Sequence, residues 1–346
     1  MRKLRAGVLG ATGMVGQRFV QMLERHPWFT LTEVAASGRS AGRTYLDAVS
    51  GRRVAYDSGL ADGLTVKECR PDLDCDVVFS ALDSSVAGGV EEEFARAGYA
   101  VFSNSRNHRM DPFVPLLVPE VNASHVDAVK LQERGKNGKG FIVTNPNCSA
   151  AGLVIPLKAL MDAYGLEKVM VTTMQALSGA GFSGAGIDIS DNVIPFISGE
   201  EGKVEAEPKK MLGTFDGKGF SYADITVSAQ CSRVNVSDGH TEAVSVSLRE
   251  KPSMAEVSKV LRKFNPLRGM DLPSAPNPPI IVRMEEDRPQ PKHDRDAGKG
   301  MAVTVGRIRE CPILGYKFFV LSHNTIRGAA GGSILNAELL MKKGLI

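Results

Sequence analysis

Leu4-Arg5-Ala6-Gly7-Val8-Leu9-Gly10-Ala11-Thr12-Gly13-Met14-Val15-Gly16 is the stretch that decides the fold of this chain. A short apolar run leads directly into closely spaced glycines, and an amphipathic segment from Met14 to Arg25 follows. Glycines in such a turn let the backbone approach a pyrophosphate, whose charge the helix N-terminus stabilises. The stretch therefore predicts a strand, a nucleotide-binding turn and a helix.

The rest of the first third continues this alternation of strands and helices. Further strands are predicted at Leu31–Ala36, Val77–Leu82, Ala100–Phe102 and Gly140–Val143, with a helix at Val86–Ala97. Strands alternating with helices are typical of right-handed βαβ units in a parallel sheet. We expect an α/β Rossmann-type N-terminal domain.

The pattern changes after residue 148. Alternating apolar and polar residues predict half-buried strands, mostly antiparallel, with one amphipathic helix at Met254–Phe264 among them. The predicted strands are Val169–Leu177, Ile225–Gln230, Thr241–Leu248, Ala302–Ile308 and Tyr316–Leu321. This part is an α+β domain. We assign residues 1–147 with the C-terminal helix 323–346 to the first domain, and 148–322 to the second.

Composition excludes several classes of protein. The net charge of +3 over 346 residues is too small for nucleic-acid binding. No apolar run approaches the roughly 18 residues of a membrane span, and no signal peptide is evident. Five scattered cysteines form neither a Cys-x-x-Cys motif nor a zinc spacing, so we expect no metal or disulfide and a cytoplasmic location.

The choice of nucleotide is decided after the second predicted strand, where an NAD site usually offers a carboxylate to the ribose. Ala36-Ser37-Gly38-Arg39-Ser40 has none there, and offers an arginine and two hydroxyls for a 2′-phosphate. The sequence therefore favours NADP. Glu33 is close enough to keep NAD open, and Arg39 could equally be a solvated charge.

A cysteine stands in Thr144-Asn145-Pro146-Asn147-Cys148-Ser149, between a strand-like and a helix-like stretch. Unpaired N–H groups and the positive end of a helix dipole favour the nucleophilic thiolate there. The alternative is a buried structural cysteine.

Other residues make the catalytic interpretation the better one. Gln175 ends a predicted strand and precedes the loop Ser178-Gly179-Ala180-Gly181. Arg233 and His240 stand seven apart with a turn between them, so both can project into one site. Histidine can move protons at neutral pH and arginine can bind a carboxylate. A cysteine, a histidine and a nucleotide site suggest oxidation or reduction of a carbonyl through a thioester.

With these motifs together, the chain resembles the aspartate-β-semialdehyde dehydrogenase family, in its archaeal and fungal branch. The matching stretches span nearly all of the sequence: 10–16, 145–148, 178–181, 233–240 and 324–332. One departure is His323-Asn324, where the family commonly has Asp-Asn; His323 has no assigned role.

The resemblance implies the reaction. Enzymes of this family interconvert aspartyl-β-phosphate and NADPH with aspartate semialdehyde, phosphate and NADP, in the biosynthesis of lysine, threonine, methionine and isoleucine. Cys148 would attack the acyl carbon, His240 would act as general acid/base, and Gln175 would orient the acyl group. The second domain would also be the dimerisation domain, in a homodimer or homotetramer.

The resemblance also implies the binding residues. Arg233 would bind the substrate carboxylate, Arg109 and Asn147 the phosphate, Glu207 the ammonium and Lys210 the phosphate. The implied NADP contacts are Gly10, Thr12, Gly13, Met14, Val15, Ser37, Arg39, Ser40, Ser178, Gly179 and Asn324.

Three other functions compete with this one. Malonyl-CoA reductase shares the thioester chemistry but needs no phosphate site, and acetylglutamyl-phosphate reductase matches the motifs less well. A non-catalytic NADP-binding sensor would not need Cys148, Gln175, Arg233 and His240 together.

Overall fold

The structure is a computed structural model that describes residues 2–52, 54, 59–132, 140–186 and 188–346. One sheet belongs to the first part of the chain and a second sheet to the remainder. The strands of the first sheet are β1 (Leu4–Leu9), β2 (Phe29–Ala36), β3 (Val66–Glu68), β4 (Val77–Ser80), β5 (Ala100–Ser103) and β6 (Phe141–Thr144). The later strands are β7 (Leu166–Gln175), β8 (Thr214–Phe215), β9 (Phe220–Ser221), β10 (Thr226–Arg233), β11 (His240–Leu248), β12 (Ile280–Val282), β13 (Val303–Cys311) and β14 (Gly315–Ser322).

Helices connect and cover these strands. They are α1 (Met14–Leu23), α2 (Tyr45–Val49), α3 (Ser84–Arg96), α4 (Pro119–Asn122), α5 (Cys148–Tyr164), α6 (Glu200–Met211), α7 (Met254–Lys263), α8 (Pro291–Asp294) and α9 (Gly331–Lys342). Turns of 3₁₀-helix cover Ala123–Leu131 and Leu177–Gly186, and a π-helical turn, Ile326–Ala330, precedes α9. Among the helices of the described residues, none has the length and apolar character needed to cross a bilayer.

The first sheet has the order β3-β2-β1-β4-β5-β6, and its strands are all parallel. Its strands are apolar on both faces because helices cover both, with α1 and α9 on one side and α3 on the other. The predicted Rossmann-type sheet is confirmed. The carboxyl ends of β1, β4 and β5 therefore meet at one edge, beside the glycine turn.

The second sheet has the order β10-β7-β11-β14-β13-β12. Its central pairs are antiparallel, as predicted, whereas the outer pairs β10–β7 and β12–β13 are parallel, so the sheet is mixed. Helices α5, α6 and α7 pack on one face. The other face is exposed at alternate residues of β7 and β10, such as Lys168 and Met170, which explains the alternation in the sequence.

The last helix returns to the first sheet, where α9 packs against β5. The residue boundaries of the two domains stay a prediction. The predicted loop at 287–299 contains the short helix α8, and β12 lies in a stretch that the sequence pattern did not predict as a strand.

Candidate active site

A cleft of about 720 Å³ lies between the two sheets and contains many of the predicted site residues. The first domain contributes the glycine turn, the loops that follow strands β4 and β5, and Arg109. Those of the predicted residues that line the cleft are Gly13, Met14, Val15, Arg109, Asn147, Cys148, Gln175, Ser178, Gly179, Arg233 and Asn324. Folding thus brings together residues spread over more than 300 positions of sequence.

Cys148 begins α5 and is half-buried beside the cleft. Its Sγ lies 3.1 Å from Nε2 of His240, a side chain with no exposed surface. The backbone N–H of Ala176 donates to the other ring nitrogen, Nδ1, over 3.0 Å. Because Nδ1 accepts that bond, a neutral ring carries its hydrogen on Nε2, pointing at the sulfur. Burial lowers the pKa of His240 to about 3, so the ring is neutral at physiological pH.

The resting thiol differs from the expectation of a thiolate at a free helix terminus. Asn147 is the N-cap of α5, and its Oδ1 accepts hydrogen bonds from the N–H groups of Ser149 and Ala150 at 3.0 and 3.2 Å. Those two N–H groups are therefore not free to stabilise a sulfur anion. Burial, followed by the nearby Glu200 carboxylate, raises the pKa of Cys148 to about 12. Cys148 is a thiol in this state.

Three site residues form a row across the second sheet. Arg233 at the end of β10 pairs with Gln175 at the end of β7, and His240 begins β11 on the other side of β7. The 3₁₀ segment after β7 lies directly over this row. A Cβ on Gly179 would be 2.7 Å from Nη1 of Arg233 and 3.1 Å from Cε1 of His240, so any larger residue there would displace the two side chains.

The side-chain amide of Gln175 has a fixed orientation. Its Nε2 donates to Oε1 of Glu200 over 3.0 Å and to Oγ1 of Thr173 over 3.2 Å. A flipped amide would turn its carbonyl oxygen toward the Glu200 carboxylate, which is unfavourable. Both amide hydrogens are thus used, and Oε1 remains as an acceptor.

Glu200 and Lys203, in the first turns of α6, line the cleft and form an ion pair. Burial alone would raise the pKa of Glu200, but Lys203 and the hydrogen bonds from Asn147 and Gln175 outweigh it and hold that pKa below its usual value. Neither Glu200 nor Lys203 is among the site residues predicted from the sequence.

Glu207 and Lys210, which were selected, do not line the cleft. Their i, i+3 spacing is the same as that of Glu200 and Lys203, which also lie on that face of α6. Seven residues separate the two pairs, about 10 Å along the helix, and only the first pair reaches the cleft. The Lys210 ammonium is buried and donates to three backbone carbonyls, so it has no free N–H for a phosphate.

Two arginines face the cleft from opposite sides. The guanidinium of Arg109 binds Glu207 and the carbonyl of Asn104, both at 2.8 Å, while its buried Nε has no partner among the described residues. Arg233 donates through Nη1 to the carbonyl of Ala176 at 2.7 Å. Each guanidinium thus keeps donors for an anion.

The glycine turn has the geometry that a nucleotide requires. Gly10 has a φ of 74°, and a Cβ on it would lie 2.7 Å from the carbonyl oxygen of Ala81. A Cβ on Gly16 would lie 2.1 Å from the carbonyl oxygen of Gly10. No side chain caps α1 at Gly13, in contrast to α5, so this helix terminus is open to a phosphate. Gly10 and Thr12 belong to the turn without lining the cleft.

The residues predicted to select NADP lie in an exposed turn at the carboxyl end of β2. Ser37 and Arg39 are exposed and Ser40 is half-buried, all outside the cleft itself. Glu33, which kept NAD open, is buried within β2 and accepts hydrogen bonds from Lys67 at 2.8 Å and from the N–H of Asp74. Its carboxylate is engaged elsewhere.

Asn324 connects two loops beside the row formed by Arg233, Gln175 and His240. Its Oδ1 accepts from the N–H of Gly239 and its Nδ2 donates to Oγ of Ser178, both at 2.8 Å. His323 beside it is buried, and its Nδ1 lies 3.4 Å from Oγ1 of Thr325.

Two family models match the chain. The model described as "Semialdehyde dehydrogenase, NAD binding domain" matches residues 5–129. The one described as "Semialdehyde dehydrogenase, dimerisation domain" matches residues 157–327. The first model covers the first sheet except β6, and the second covers the whole of the second sheet.

Curated relatives match over the full length. An aspartate-semialdehyde dehydrogenase of Archaeoglobus fulgidus is 52% identical over 345 residues, 98% of both chains. That of Saccharomyces cerevisiae is 47% identical over 359 residues, 99% of this chain and 98% of the yeast protein.

Solved structures similar to this chain are also aspartate semialdehyde dehydrogenases. The crystal structure of aspartate semialdehyde dehydrogenase with NADP from Candida albicans has a TM-score of 0.90 and 45% identity, over 99% of this chain and 100% of that one. Aspartate semialdehyde dehydrogenase II from Vibrio cholerae, complexed with ASA, has a TM-score of 0.79 and 27% identity, over 99% of each chain. The resemblance inferred from the motifs is confirmed, and this chain belongs to the aspartate-semialdehyde dehydrogenase family.

Proposed function

We propose that this chain reduces aspartyl-β-phosphate to aspartate semialdehyde and phosphate with NADPH, through a thioester on Cys148. The observation that carries the proposal is the 3.1 Å contact between Sγ of Cys148 and Nε2 of His240, in a cleft that the open terminus of α1 also reaches. A nucleophile and a hydrogen-bond donor beside a nucleotide turn suit acyl transfer coupled to reduction.

Charges around the cleft fit the substrate. Arg233 offers a planar pair of donors to the α-carboxylate, and Glu200 offers a carboxylate to the ammonium group. Arg109, through the NH₂ hydrogens that Glu207 and Asn104 leave unused, and Lys203 would bind the phosphate. In this proposal Glu200 and Lys203 take the roles that the resemblance implied for Glu207 and Lys210.

The covalent steps require a thiolate. The thiol proton leaves to water in the cleft, and Sγ attacks the acyl carbon with departure of phosphate. The resulting thioester is reduced to a thiohemiacetal anion, which collapses to the aldehyde and returns the electron pair to sulfur. His240 donates its Nε2–H to the sulfur throughout, and the acceptor Oε1 of Gln175 orients the substrate.

NADPH, when bound, supplies the hydride to the thioester carbon. Gly13, Met14 and Val15 would hold its phosphates and ribose, and Ser178, Gly179 and Asn324 would contact the nicotinamide side. Gly10 and Thr12 shape the turn, and Ser37, Arg39 and Ser40 would receive the 2′-phosphate.

We further propose a homodimer or homotetramer. The exposed face of the second sheet supports this, because Met170 is 52% exposed in the middle of β7, on a face that no helix of the described residues covers.

The test is phosphate-dependent reduction of NADP by aspartate semialdehyde. Wild-type protein should turn over, and Cys148→Ser should lose roughly a thousandfold or more of that activity. Cys311→Ser is a matched control, since Cys311 ends β13 far from the cleft, and it should remain active.

Other outcomes would favour the competing functions. Turnover of malonyl-CoA with NADPH, and none with aspartate semialdehyde, would identify a CoA-ester reductase. Absence of both activities in protein that still binds NADP would identify a sensor. Full activity of Cys148→Ser would refute the thioester.

A further inference from the structure

The second Glu/Lys pair of α6 is buried between the two domains, where its contacts are all internal. Glu207 is 2% exposed and Lys210 is 1% exposed. Burying two ionised side chains is costly unless hydrogen bonds satisfy them. The burial of these two charges therefore requires an explanation. Direct contact with the substrate does not provide it, because neither residue lines the cleft.

Glu207 connects two parts of the active site. Its Oε1 accepts from Nη1 of Arg109 at 2.8 Å, and its Oε2 accepts from the backbone N–H of Asn147 at 2.6 Å. Asn147 directly precedes the nucleophile Cys148. One carboxylate thus ties the cleft arginine of the first domain to the peptide that begins α5.

Lys210 holds the loop that carries the same arginine. Its ammonium donates to the carbonyls of Arg109, Asp111 and Val114 at 2.8, 2.9 and 2.9 Å. All three of its hydrogens are used, and the ring of Phe220 lies 4.7 Å from Nζ.

We propose that Glu207 and Lys210 are positioning residues, a clamp that holds Arg109 at a fixed place relative to Cys148. With Nη1 held by Glu207 and Nη2 held by the carbonyl of Asn104, the guanidinium cannot rotate, and each of these two nitrogens keeps a second hydrogen for an anion in the cleft. This inference rests on the proposed function, in which Arg109 binds the phosphate.

The clamp should respond to pH. Burial lowers the pKa of Lys210 to about 8, against the opposing effect of Asp111 and Glu207. The guanidinium of Arg109 is bound to Glu207. The ring of His125 lies 5.0 Å from that of Phe220, and burial lowers its pKa to about 4, so it is neutral. Above pH 8 a neutral amine has two hydrogens for three carbonyls, so the loop loosens.

The experiment compares Lys210→Met with Lys209→Met, its half-buried neighbour, in the full enzyme. In Lys210→Met we expect the KM for phosphate to rise about tenfold, with the KM for NADP changed less than about twofold. In wild-type enzyme the KM for phosphate should rise as the pH passes 8, and in Lys210→Met it should not. Lys209→Met should behave as wild type in both respects.

A wild-type KM for phosphate in Lys210→Met would overturn the clamp. So would an equal rise of every KM together with a lower Tm, which a merely structural role predicts. If Lys210→Met does not fold, Glu207→Gln replaces it, because its NH₂ group must face a donor, either Arg109 or Asn147, and the same selective rise is expected.

Failure of the proposed function would look different. Wild-type protein would then show no turnover with aspartate semialdehyde at all. Binding of inorganic phosphate, measured by calorimetry on the wild type and on Lys210→Met, would still test the clamp, and equal affinities would refute it.

Discussion

The ring of His240 is held so that it can give a hydrogen bond to sulfur but not take one. The N–H of Ala176 occupies Nδ1, and protonating that nitrogen would set two N–H groups against each other. The thiol proton therefore has no place on Nε2, which already carries hydrogen. We therefore propose that His240 is a donor to the thiolate, in place of the general acid/base role that the resemblance implies.

This assignment can be tested with two substitutions. In His240→Gln the side-chain amide can still offer an N–H near the position of Nε2, whereas His240→Leu offers none. We expect His240→Gln to keep about tenfold more activity than His240→Leu, because one hydrogen bond to a charged sulfur is retained.

The pH profile is the second measurement. Burial lowers the pKa of His240 to about 3, so the ring stays neutral from pH 5 to pH 8 and should add no inflection near its usual value. Equally low activity of both variants, together with an inflection near the usual histidine pKa in the wild-type profile, would show that His240 is the base after all.

The N-termini of helices α1 and α5 differ in whether their backbone N–H groups are free to bind a ligand. Helix α1 begins at a glycine without a side-chain cap, so its first N–H groups are open to a ligand. Helix α5 begins at Asn147, whose Oδ1 occupies the N–H groups of Ser149 and Ala150. Both follow a parallel strand, yet only the first is suited to a phosphate.

The turn after β2 contains Arg39, which is predicted to bind the 2′-phosphate of NADP, and a charge reversal tests this role. In Arg39→Glu a carboxylate replaces the guanidinium, which should repel a 2′-phosphate and suit a ribose hydroxyl. We expect the KM for NADP to rise by about tenfold or more, while the KM for NAD stays equal or falls.

Arg96→Glu makes the same charge change at the end of α3 and serves as the control. Steady-state kinetics with both nucleotides is the measurement. An unchanged KM for NADP in Arg39→Glu would mean that Arg39 is only a solvated surface charge.

At the scale of the whole molecule, the C-terminal segment ties the catalytic loops to the first domain. Arg327, in the π-helical turn before α9, makes a bidentate ion pair with Glu120 of α4, at 2.7 and 2.6 Å. Both side chains are buried. Gly328 next to it packs against Cys148, where a Cβ would lie 2.8 Å from the Cβ of the cysteine.

Breaking this pair should destabilise the fold. Arg327→Met leaves the Glu120 carboxylate buried without its partner, and we expect a loss of about 3–5 kcal/mol in the free energy of unfolding. Urea denaturation measures it. Adding Glu120→Gln should restore part of the loss, and an unchanged midpoint in Arg327→Met alone would contradict the account.

Short-range patterns were enough for the sequence to determine much of this protein. The period of two in β10 and β11, the glycine turn at 10–16 and the cysteine at 148 are all local signals, and together they determined the fold class, the nucleotide turn and the candidate nucleophile. What a residue contacts across the fold is not local. Glu200 and Glu207 have the same spacing to a lysine on the same helix face, and only their distance from the cleft separates a proposed substrate contact from an internal one.

The tertiary structure alone decided three further properties. It decided that Asn147 caps α5, that Ala176 fixes the hydrogen of His240 on Nε2, and that burial keeps Cys148 a thiol at rest. The physical reason is common to all three: hydrogen-bond partners and burial depend on chain segments far apart in sequence, and these quantities set protonation.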